Sequence, residues 1–149
     1  MACALGVPAC GVGATSRGEL AEAGLEAIQA NDVSRYRHYV VNLETLREHC
    51  SVAELDRAQR AVPQAHARLK GAIASCHRLV DWRGASQVGL MGGDVYERPR
   101  ECGGHLARVS DIIATYVVGH ERVSVHHRQP YLLDGRLYLA GRQPWCARQ

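Results

Sequence analysis

From residue 55 onward the apolar positions Leu55, Ala58, Val62, Ala65, Leu69, Ala72, Cys76 and Leu79 recur at alternating steps of three and four. That spacing predicts a helix with one continuous apolar stripe, coiled-coil-like in its register. Ala58, Ala65 and Ala72 occupy one class of position, so the stripe admits a neighbouring helix at the short end of the ~8–10 Å range of axial spacings. Pro63 lies inside the pattern, removes a backbone donor and predicts a kink or a break.

Three further helices are predicted. Ser16 and Glu19 are spaced as a capping box ahead of Leu20, Ala21, Gly24, Leu25 and Ile28, with Asn31 as a stop. Tyr36, Tyr39, Leu43, Leu46 and Cys50 step by three and four from Ser34, although Tyr39, Val40 and Val41 alone would suit a strand. A second capping box, Ser51 with Glu54, restarts the register before the long stripe. Leu106, Val109, Ile113 and Tyr116 mark the last helix, closed by Gly119. Val123 and Val125 then alternate with polar residues, and Asp134-Gly135 between two apolar runs signals a type I′ hairpin.

The pattern therefore predicts a mainly α fold, a helical hairpin or bundle of about four helices with a small C-terminal β-hairpin. Residues 1–15 read as a flexible arm and 16–83 as the helical bundle region. Residues 84–104 read as a Gly-rich loop, long enough to carry contacts. Residues 105–149 read as a helix plus β-hairpin of the same domain. The chain has 149 residues, 46% hydrophobic and with no Phe, so a single core built from Leu, Val, Ile and Ala is expected.

Charge changes the picture little. The net charge is +3, and the residues after Glu121 hold five Arg, at 122, 128, 136, 142 and 148, against Asp134. No Lys/Arg-rich run interleaved with aromatics accompanies them, which argues against nucleic acid as a partner. No apolar run approaches the ~20 residues of a membrane-spanning helix. Six cysteines, at 3, 10, 50, 76, 102 and 146, fall at unrelated spacings with no secretory segment before them. They read as free thiols in a reducing, intracellular compartment, cytoplasm or organelle interior, with Cys50 and Cys76 as core residues on helical seams.

Two readings of function follow. The stripe at Leu55, Ala58, Val62, Ala65, Leu69 and Ala72, with Trp145 in the tail, suits a non-catalytic helical interaction protein. Such a chain would be a small structural subunit or assembly factor, and it would bind a protein partner or a second copy of itself without a cofactor. The alternative is a small zinc-binding module or metal-dependent enzyme: Cys102 and His105 stand as C-x-x-H, followed by His120 and His126, and thiolate with imidazole is the donor set zinc prefers. The glycines ahead of Ser16 match neither the dinucleotide fingerprint nor a P-loop.

Overall fold

The computed structural model describes residues 13–97, 100–140 and 142–149. The expected arm falls mostly outside the described residues. Its last residues are held, because Ala14 exchanges backbone hydrogen bonds of 2.7 and 2.8 Å with Leu137.

Among the described residues the chain forms three α-helices, α1 (Arg17–Ala30), α2 (Leu43–Arg47) and α3 (Val52–His77). Seven strands follow: β1 (Ser86–Gly92), β2 (Leu106–Arg108), β3 (Ile112–Val118), β4 (Glu121–His127), β5 (Tyr131–Leu133), β6 (Arg136–Tyr138) and β7 (Trp145–Arg148). They make a four-stranded antiparallel sheet in the order β1-β3-β4-β7 and a three-stranded antiparallel sheet in the order β2-β5-β6. The expected mainly α, coiled-coil-like bundle is thus overturned. The molecule is a mixed α/β fold with a substantial two-sheet part.

The helix starts follow local chemistry. Ser16 Oγ accepts from the Glu19 amide, but the Glu19 carboxylate takes the Thr15 amide and hydroxyl, one residue ahead of the expected reciprocal bond. At α3 the capping box closes in both directions between Ser51 and Glu54. Asn31 ends α1 in the left-handed conformation, φ 49°, its amide bonded to the Ala27 and Ile28 carbonyls.

The expected helix from Ser34 to Cys50 is replaced by a 3-10 turn at Tyr36–Tyr39, an extended link and the short α2. Val41 donates to the Leu139 carbonyl and Leu139 to that of Tyr39, so this link takes strand-type bonds that a helix would forgo. The expected helix at 105–119 is β2 and β3 instead. In β3 the side chains of Ile112, Ala114, Tyr116 and Val118 are buried alternately, the period of a strand. Gly119, expected to cap a helix, opens a two-residue hairpin to β4 with φ 64°, as the first central position of a type II′ turn requires. The expected loop at 84–104 contains β1, which pairs along β3 across a bulge between Gln87 and Gly89.

Two cores result. The larger packs α1 and the C-terminal half of α3 on one face of the four-stranded sheet, and includes Leu20, Ile28, Tyr36, Leu69, Ile73, Trp82, Ile112, Tyr116, Val123 and Val125. The smaller joins α2, the N-terminal half of α3 and the three-stranded sheet through Val41, Leu46, Val62, Leu106, Leu133 and Tyr138. Disulfides tie Cys50 to Cys102 and Cys76 to Cys146, which overturns the expectation of free thiols at these four positions. Cys3 and Cys10 lie outside the described residues. No helix among the described residues is long and apolar enough to cross a membrane.

Candidate metal centre

Three segments of the smaller core converge on one surface point. His49 sits in the turn that ends α2, next to Cys50. His105 closes the 3-10 turn Cys102–Gly104, its amide bonded to the Cys102 carbonyl at 3.1 Å. Asp134 is the first residue of the β5–β6 hairpin turn, at φ 49°, followed by Gly135 at φ 77°, so the type I′ turn read from Asp134-Gly135 is present and aims the carboxylate outward. The Cys50–Cys102 bridge fixes the first two segments against each other.

The side chains form a compact set. His49 Nε2 lies 2.5 Å from Asp134 Oδ2 and His105 Nδ1 lies 2.9 Å from Asp134 Oδ1, the imidazoles donating to the carboxylate. The two imidazole rings stack with centroids 4.2 Å apart. One ligand atom from each residue lies within 4.8 Å of the others. The hydrogen bond from His105 and the neighbouring imidazoles hold the Asp134 carboxyl below its ordinary range, so it is an anion at neutral pH. His49 is the most covered of the three, whereas His105 and Asp134 are about half exposed, which leaves the outer side of the set to solvent.

Two imidazoles and a carboxylate are a donor set for a divalent first-row metal, with solvent completing the coordination. Glu54 braces the same corner. One of its oxygens caps α3 and the other accepts the Cys102 amide at 2.6 Å, and these bonds bring its pKa down to about 2.

The sequence-predicted ligands are not brought together. Cys102 is spent in its disulfide. His105 does join a ligand set, but with His49 and Asp134. His120 is exposed at the β3–β4 turn, and His126 lies six residues further along β4, ~20 Å away at strand spacing. His126 stacks instead on Trp145, centroids 4.0 Å apart. What the sequence reading missed is the pairing of Cys50 with Cys102, since a cysteine connectivity cannot be deduced from spacing. Each histidine stands within three residues of a cysteine of that pair.

The predicted partner-binding stripe is occupied within the chain. Leu55, Ala58 and Val62 pack in the smaller core, Ala65 and Leu69 in the larger, and Ala72 is half-buried. Trp145 lies on the open face of the large sheet, 43% exposed. Compared with protein families, characterised proteins and solved structures, the chain matches none.

Proposed function

We propose that this chain is a metal-binding domain of an oxidising compartment that takes up a divalent transition metal, zinc foremost, at His49, His105 and Asp134. The observation that carries the reading is the convergence of these three donors from three separate segments within 4.8 Å. The two disulfides support the compartment, since such bonds persist where thiols are not kept reduced. Zinc is favoured over iron there because it has no redox chemistry and accepts nitrogen and oxygen donors in a tetrahedral site. With three protein ligands and a solvent-facing side, the site suits capture and release more than a closed structural role. An interaction-subunit reading has less support, because the apolar stripe that motivated it is covered by the chain's own sheets and helices.

The test is calorimetric titration of chelator-treated protein with zinc. One equivalent should bind, and His105→Ala should weaken binding by about 10–100-fold or more. Asp134→Asn keeps a residue that tolerates the left-handed turn while removing the charge, and should weaken it comparably. Stoichiometry below about a tenth of an equivalent, or equal affinity in the His105 variant, sinks the reading.

A further inference from the structure

Three arginines from distant parts of the chain border the β7 edge of the large sheet. Arg68 comes from α3, Arg128 from the link after β4 and Arg142 from the link before β7. Together with Gln143, Pro144 and Trp145 they line a cleft of about 310 Å³. Ion pairs elsewhere join Arg35 to Glu26, Arg83 to Asp81, Arg108 to Glu101 and Arg148 to Glu121. Among the described residues Arg68, Arg128 and Arg142 have no carboxylate partner. Asp111, which acts on the neighbouring His126, accepts the Gln129 amide at 2.9 Å.

One face of the Trp145 ring is covered by His126, the two planes 14° apart, and His126 Nε2 is itself held at 3.0 Å by Ser124 Oγ. This backing presents the indole as a fixed flat surface beside three unneutralised cations. Guanidinium forks match the oxygens of carboxylate and phosphate groups, and an exposed indole face stacks on a flat ring. The cleft sits at the small end of the ~300–1,000 Å³ range of ligand sites, so it suits one ring and its substituent better than a folded partner.

We propose that this cleft binds a small oxyanion carried on a ring, the carboxylate or phosphate held by Arg68, Arg128 and Arg142 and the ring laid on Trp145. A sugar acid and a nucleoside monophosphate share this chemistry. The inference is independent of the metal reading, since no residue is common to the two sites.

Tryptophan emission reports on it directly, because Trp82 is buried with its Nε1 bonded to the Cys76 carbonyl and gives a constant background. Titrations would use glucuronate, adenosine monophosphate, inorganic phosphate, glucose, adenosine and a single-stranded oligothymidylate. A saturable change with glucuronate or with adenosine monophosphate, half-complete below ~1 mM and at least ~10-fold tighter than with phosphate or the neutral parent, is expected. Whichever of the two responds names the source. Arg142→Gln, at an exposed position that leaves folding intact, and the Arg128→Gln/Arg142→Gln pair should weaken binding, the pair by ~10-fold or more, while His105→Ala leaves it unchanged. The proposal is overturned by silence toward both ring oxyanions, by phosphate binding as tightly as either, by undiminished affinity in the paired variant, or by a response confined to the oligonucleotide.

Discussion

His127 is the most constrained polar residue of the fold. It is fully buried between α1 and the large sheet, in hydrogen-bond contact with the Tyr36 hydroxyl through Nδ1, while its Nε2 has no partner among the described residues. Burial, with a smaller contribution from His126, pushes its pKa down to about 4. An unfolded imidazole titrates near 6.5, so the unfolded chain takes up a proton first as the solution is acidified. Stability is therefore complete above about pH 6.5 and falls between there and about pH 4, by about 3 kcal/mol at most. Urea unfolding at a series of pH values should show this slope, and His127→Gln should flatten it, whatever its effect on absolute stability. The site also explains a glycine. A Cβ on Gly24 would stand 2.5 Å from His127 Cε1, with Tyr36 closing the other side at 3.5 Å. Gly24→Ala should lose about 1–3 kcal/mol to overpacking, more than the ~1 kcal/mol gained in helix propensity. Nothing in the sequence announces this pair. His127 follows a histidine read as a ligand candidate, and its burial depends on the strand register of β4.

At the scale of elements, α3 was legible and its role was not. The stripe predicts a helix, and a helix runs unbroken through Pro63 from Val52 to His77. Ala58 and Ala65 face inward as the spacing requires, yet they meet two different cores on either side of the proline instead of one long neighbour. Replacing Ala65 by Leu should cost about 1–3 kcal/mol in a denaturant titration, because that position is buried in the larger core. The β-strands were harder to read. In β3 the residues Ile113 and Tyr116 satisfy helical spacing by coincidence while facing opposite sides of the sheet, and the β-branched run there was the better guide. Gly119-His120 is a Gly-X hairpin signal that the helical spacing of the residues before it masks. By contrast, the Asp134-Gly135 turn was readable because both residues suit positive φ. Ligand geometry was not, since it depends on which cysteines join.

For the molecule as a whole, the two disulfides close loops with sequence separations of 52 and 70 residues. In the chain-entropy picture each restrains the unfolded ensemble by about 4 kcal/mol. Reduction should lower the unfolding midpoint markedly, and peptide mapping under non-reducing conditions should recover Cys50 linked to Cys102 and Cys76 linked to Cys146. The Cys76 bridge joins the end of α3 to the edge strand β7, and the Cys50 bridge joins the end of α2 to the turn before β2, so each binds the helical half to the sheet half. The two cores share α3 as a common member, which predicts one cooperative transition by both near- and far-ultraviolet circular dichroism.

The order of these bridges along the chain has one more effect. Cys50 and Cys76 precede the stretch 78–101, and Cys102 and Cys146 follow it. A protease that cuts once within that stretch, for instance after the exposed Arg83, releases nothing. The two fragments stay riveted together and migrate as one species until a reductant is added, so an electrophoretic check without reductant would pass a severed molecule as whole.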